Sequence, residues 1–102
     1  MQILVTFKNV DTSPFLKSYL EEKLNRLEKI MPHPGTADVV FQEEKLRKVV
    51  DVNLTGKGFD VHAKEECTAW HEAIDLVVDK AKKQLIKNKE KLQSHRPEVN
   101  NL

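Results

Sequence analysis

Apolar residues recur at every second position in four short stretches of the chain and at helical spacing in two longer ones. Gln2 to Lys8 alternates, with Ile3, Val5 and Phe7 on one side and Gln2, Leu4, Thr6 and Lys8 on the other, which predicts a half-buried strand. Ser13-Pro14 then opens a helix: the serine caps, and proline fits the first turn, where no N–H is needed. Leu16, Leu20, Leu24 and Leu27 form its buried stripe to about Lys29, with Tyr19, Lys23 and Arg26 along one edge. The segment from Met31 to Gly35, with two prolines and a glycine, ends it. Three more strands follow, Thr36–Gln42, Lys48–Thr55 and Phe59–Lys64, separated by a polar turn over Glu43–Arg47 and a Gly56-Lys57-Gly58 hairpin signal. Glu65 to Cys67 reads as a connection. The last helix is expected from Thr68, its cap, to Ser94, with Ile74, Val77, Val78, Ala81, Leu85 and Leu92 in one stripe.

The order is β-α-β-β-β-α. A helix between the first two strands makes them parallel neighbours, and the short later connections make antiparallel hairpins. Each helix has one apolar stripe, so the economical architecture is α+β in two layers: a four-stranded mixed sheet with both helices on one face. Residues 1–95 are expected to form one domain and 96–102 a flexible tail without periodicity.

Charge changes this picture in one place. The chain carries only +1, but Lys80 to Arg96 holds seven basic residues and one acid, a balance of +6, which leaves −5 on the other 85 residues. Lys80, Lys83, Lys87 and Lys91 form one stripe, while Lys82 and Lys89 flank the core on the other side. Most lysine stripes are solvated helix faces. Here acids do not intersperse, and in-register lysines repel unless an anion lies alongside. At about 1.5 Å per residue the helix spans roughly 37 Å, longer than a strand of about 20 Å, so its basic end overhangs the sheet or runs exposed along the rim. These features point to a polyanionic partner.

Catalytic chemistry finds little support. His62, Cys67 and His71 have the spacing of no standard structural zinc site, and Cys67 lacks a base and an orienting partner. An unreactive thiol and two surface histidines is the better reading. The adjacent carboxylates Glu43-Glu44 and Glu65-Glu66 diverge, and no glycine-rich phosphate loop occurs. Trp70 is expected to close the open end of the core. No apolar run approaches the roughly 20 residues of a membrane span, the N-terminus reads as a strand rather than a signal peptide, and the single cysteine forms no internal disulfide. The expectation is a cytoplasmic protein with no cofactor, no metal, no membrane association and no small-molecule substrate.

Three segments carry a family resemblance: SPFLKSYLEEKLNRLEKI, EEKLRKVVDVNL and WHEAIDLVVDKAKKQLIKNKEKLQSH. Over about residues 1 to 95 the chain resembles the bacterial ribosome hibernation-promoting factors, which include ribosome-associated inhibitor A, in their short form. The resemblance implies a β-α-β-β-β-α fold related to double-stranded-RNA-binding domains. It implies a non-enzymatic protein, monomeric off the ribosome, that binds the small ribosomal subunit and its ribosomal RNA in the messenger and transfer RNA channel, inhibiting translation. Carried over by position, the RNA-binding residues are Lys23, Arg26, Lys80, Lys83, Lys87, Lys89 and Lys91. The chain departs from the family at Ala69, Trp70 and His71, where an acidic or polar cap and a Met-Tyr pair are common, and in the MPHPGT link. Two rival readings remain at this point: a general double-stranded-RNA-binding module, and a small redox or metal protein using Cys67, His62 and His71.

Overall fold

A computed structural model describes residues 1–98, with side chains described through Asn88. The strands are β1 (Gln2–Lys8), β2 (Gly35–Glu44), β3 (Arg47–Gly56) and β4 (Phe59–Cys67). They form one sheet in the order β1-β2-β3-β4, with β1 and β2 parallel and the other pairs antiparallel. Helix α1 (Pro14–Asn25) passes directly into a 3₁₀ segment (Arg26–Ile30), and α2 spans Trp70–Glu98. Ser13 caps α1 as its sequence predicts, its hydroxyl accepting from the Leu16 N–H at 3.2 Å.

One continuous core lies between the sheet and the helices. Ala37, Val39, Phe41, Val50, Val52, Leu54, Phe59, Val61 and Ala63 supply the sheet side. Leu20, Leu24 and Leu27 meet them from the first helical segment, and Ala73, Ile74, Val77, Val78, Ala81 and Leu85 from α2. Both helices therefore cover the same face, and the two-layer α+β architecture is as the periodicity predicts. Each fully buried leucine, isoleucine or valine contributes about 1.5–3 kcal/mol, so the stripe on α2 is the main tie between that helix and the sheet.

Several boundaries differ from the sequence expectation: β2 takes in Glu43 and Glu44, and β3 takes in Arg47, all three expected in the turn. Strand β4 continues through Glu65, Glu66 and Cys67, which read as a connection. Glu65 points to the helix side, opposite Val50, where an acid breaks the alternation; Lys80 of α2 holds it at 3.4 Å. Helix α2 starts at Trp70, with the Ala69 carbonyl accepting the first helical bond from Ala73 N–H at 3.1 Å, so Thr68 is not the cap. The helix also runs four residues past Ser94, to Glu98. Arg96–Glu98, expected in the tail, are helical, and residues 99–102 lie outside the described part.

Gly58, in the turn after β3, lies beside Leu85 and Asn88. The sheet ends there while α2 continues to Glu98, about 15 Å further at 1.5 Å per residue. The exposed edge of β4 is covered by α2, whose Gln84 Nε2 and Lys80 Nζ donate to the carbonyls of His62 (2.9 Å) and Lys64 (3.3 Å), and Arg47 Nη2 of β3 donates to the Glu66 carbonyl (3.5 Å). Unpaired strand edges invite pairing with other chains, and these side chains occupy that edge.

At the same end of the sheet, Gly35 pairs with Gly56 and the Phe59 ring lies across them. A Cβ on Gly35 would sit 2.5 Å from the Thr55 carbonyl oxygen and 2.7 Å from the ring. Gly35→Ala is therefore expected to destabilise the protein by about 1–3 kcal/mol, the usual cost of overpacking, in a urea melt. A midpoint unchanged from the parent would show that strand and ring move apart freely.

Candidate nucleic-acid interface

The apolar stripes of the two helices set which way their charges face. Leu20, Leu24 and Leu27 turn inward, and Lys23 and Arg26 are left on the flank toward α2. On α2, burial of Ile74, Val78 and Leu85 leaves Asp75, Asp79 and Lys82 on the flank toward α1. Between these flanks runs a groove of about 370 Å³, lined by Lys23, Arg26, Lys29 and Lys82, with Asp75 and Asp79 on the α2 wall. Leu27, Ile30 and Val78 form its floor.

The cations are held, but weakly. Lys23 Nζ lies 3.6 Å from Asp75, Lys83 Nζ 3.1 Å from Asp79, and Arg26 3.4 Å from Glu22. Exposed pairs of this kind are worth about 0–1 kcal/mol each, so a phosphate oxygen can replace the carboxylate at small cost. Tyr19 donates its hydroxyl to Asp75 at 2.7 Å, and Lys23 sits 5.2 Å from the centre of its ring. The hydrogen bond to Asp75, more than burial or the charge of Asp75, raises the tyrosine pKa, and Lys23 opposes the shift.

The structure divides the lysines that the sequence groups together. Lys80 is not in the groove: it lies on the opposite flank of α2, bonded to Glu65 and the Lys64 carbonyl of β4. Lys83 is exposed beside Asp79, and Lys87 is exposed two turns after Lys80. The side chains of Lys89 and Lys91 lie outside the described part, although both residues are in α2. Lys82 and Lys29 line the groove with Lys23 and Arg26, and the sequence reading leaves both out of the site. The signal for Lys82 is its place seven residues after Asp75 on one helix flank. That flank gains meaning only once α1 is known to lie beside it.

The opposite surface of the molecule has the other sign. The register puts Asp38, Glu44, Asp51, Asp60 and Glu66 on the outer face of the sheet, with Lys8, Arg47 and Lys64. Five carboxylates against three cations make that face net acidic, and the cationic groove is on the helical side.

A helical face with a cationic groove, on this sheet order, coincides with a family match. The family model described as Sigma 54 modulation protein / S30EA ribosomal protein matches residues 3–93. The chain belongs to this family. It is 33% identical over 95 residues to a ribosome hibernation promoting factor of Klebsiella oxytoca, covering 93% of this chain and all of the relative. To one of Azotobacter vinelandii it is 36% identical over 91 residues, 89% of this chain and 85% of the relative. A solved ribosomal subunit interface protein from Coxiella burnetii superposes with a TM-score of 0.77 at 32% identity, covering 88% of this chain and 99% of that one. The Thermus thermophilus Protein Y N-terminal domain does so with 0.78 at 26% identity, covering 83% and 96%.

In this S30EA-family chain the His62, Cys67 and His71 set is dispersed. His62 lies on the outer sheet face, 2.8 Å from Asp51. Cys67 is half-buried at the end of β4, and His71 packs among Phe15 and Tyr19. No cluster of His, Cys, Asp or Glu able to hold a metal occurs among the described residues. Burial, then the charges of Glu72 and Glu65, raises the Cys67 pKa, so the thiol stays protonated and weakly nucleophilic at neutral pH. Trp70 is half-buried and meets the core ring of Phe41 edge-on at 5.5 Å, with Lys48 5.6 Å from its ring centre. No helix among the described residues is long and apolar enough to cross a membrane.

The chain has one tyrosine, so its titration reports on the groove directly. Asp75→Ala removes both the hydrogen bond and the nearby negative charge, and is expected to lower the Tyr19 pKa in an ultraviolet absorbance titration. An unchanged titration would mean that the hydroxyl does not rest on Asp75 in solution.

Proposed function

We infer that this protein is a ribosome hibernation factor, a non-enzymatic ribosome-binding protein that silences translation. The groove between the helices is proposed to meet ribosomal RNA of the small subunit, in the channel used by messenger and transfer RNA. The observation that carries this reading is the gathering of Lys23, Arg26, Lys29 and Lys82 in one groove on the helical side, opposite a net acidic sheet face. It is supported by near-full-length similarity to ribosome hibernation promoting factors. Such a protein works in the cytoplasm, where ribosomes are, and needs no cofactor.

The mechanism is occupation. Lysine and arginine side chains neutralise backbone phosphates and release counterions, a grip that follows shape rather than base sequence. Lys83 and Lys87, exposed on α2, extend the footprint beyond the groove, and Lys89 and Lys91 continue it along the same helix. Lys80 stands at its margin, because binding RNA there requires it to leave Glu65 and the β4 edge. A rigid two-layer body seated on those phosphates excludes other RNA from the same space.

Affinity for intact bacterial ribosomes is expected to fall steeply with salt: five or six phosphate contacts cost on the order of a thousandfold between roughly 50 and 200 mM. Arg26→Glu and Lys82→Glu are each expected to weaken ribosome pelleting by about ten- to a hundredfold, since charge-assisted contacts are worth about 1.5–3 kcal/mol. Their thermal melts are expected to match the parent. Lys8→Glu, on the outer sheet face, is expected to bind as the parent does. Equal losses from all three would mean that net charge, and not the groove, drives association. Competition by added duplex RNA as strong as by ribosomal subunits would favour a general RNA-binding module instead.

A further inference from the structure

Phe15 stands out at the start of α1, eight residues before Lys23 of the groove. It is 66% exposed, and it is the one aromatic among the exposed large hydrophobic side chains of the described residues. It begins a row on α1 in which Phe15, Tyr19, Lys23 and Arg26 follow at intervals of four, four and three residues, which places them on one helix face. The row covers about 16 Å along the axis and leads from the exposed ring into the cationic groove.

The ring also has a partner on the second helix. His71 of α2 meets Phe15 at 5.4 Å with the planes at 68°, and meets Tyr19 at 4.8 Å and 82°. Tyr19 is tied in turn to Asp75 and lies beneath Lys23. His71 thus braces Phe15 from the second helix, and its edgewise contact leaves most of the phenyl group open to solvent. A side chain left outside the core, in contact with a ring of the second helix and on the same helix face as Lys23 about two turns on, is arranged to meet an apolar surface that arrives attached to negative charge. A nucleobase is such a surface.

We propose that Phe15, braced by His71, is a stacking platform for an unpaired nucleobase of the RNA strand whose phosphates lie in the Lys23–Arg26–Lys82 groove. The proposal rests on the ribosomal RNA reading and deepens it, by giving the groove a contact that depends on base exposure and not on charge. The base must be unpaired, because bases within a duplex already stack on their neighbours and present no free face. Stacking on aromatic side chains tolerates any base, so the platform favours single-stranded or splayed nucleotides without reading a sequence.

The test uses the full chain and intact bacterial ribosomes. Phe15→Leu keeps an apolar side chain and removes the aromatic face; it is expected to weaken pelleting by about tenfold with the salt slope unchanged. Phe15→Trp, which keeps a face, is expected to bind at least as tightly as the parent. Because the position is exposed, thermal melts of both are expected to match the parent. A third arm replaces Phe15 by photoreactive p-benzoylphenylalanine, whose cross-link is expected on ribosomal RNA at an unpaired nucleotide. Parent-like binding by Phe15→Leu, equal losses in the leucine and tryptophan variants, or a cross-link to a ribosomal protein would each overturn the proposal. If Lys82→Glu still weakens binding in those cases, the groove stands and the platform alone falls. Failure of the parent chain to pellet with ribosomes would sink both.

Discussion

Burial of one stripe of α2 fixes the direction of the charges that helix carries as far as Lys87. Ala73, Ile74, Val77, Val78, Ala81 and Leu85 have almost no exposed surface, and turning the helix by even one residue, about 100°, would put apolar side chains in water and lysines in the core. The rotation is therefore set by the sheet. It sends Lys80 and Gln84 down to the β4 edge, Asp75, Asp79 and Lys82 toward α1, and Lys83 out to solvent. Packing, and not attraction among charges, assembles the groove: the ion pair that crosses it, Lys23 with Asp75, is an exposed contact too weak to position two helices.

That arrangement gives the molecule two unlike sides. The sheet's outer face is net acidic and would be repelled by a polyanion, while the helical side gathers cations in a depression with an apolar floor. On the proposed reading, orientation on RNA would follow from the field of the whole domain before any contact forms. The cover over the β4 edge serves the same end, since an open edge beside a basic helix would offer a second and competing mode of association.

Much of this was legible in the sequence. The alternating strands, the Ser13-Pro14 helix start, the two leucine-rich stripes and the two-layer order follow from period and turn chemistry, and the motifs of both helices carry the family. What was not legible depends on contacts between elements. Glu65 reads as the end of a strand because an inward acid breaks the pattern, and its partner, Lys80, is fifteen residues away. For the same reason Lys80 reads as part of an outward stripe. Lys29 and Lys82 acquire a common role only when α1 is laid along α2, which no local period encodes. His71 reads as a surface residue, and its place between Phe15 and Tyr19 depends on how the two helix starts meet.

The central claim is that RNA meets the helical side, along the groove between α1 and α2. Single-particle imaging of the protein bound to intact bacterial ribosomes tests it most directly, because it shows which face is buried. The account predicts ribosomal RNA phosphates against Arg26 and Lys82, with Asp38, Asp51 and Asp60 turned to solvent. A complex in which the outer sheet face lies against RNA, or in which the groove opens to solvent, would contradict it.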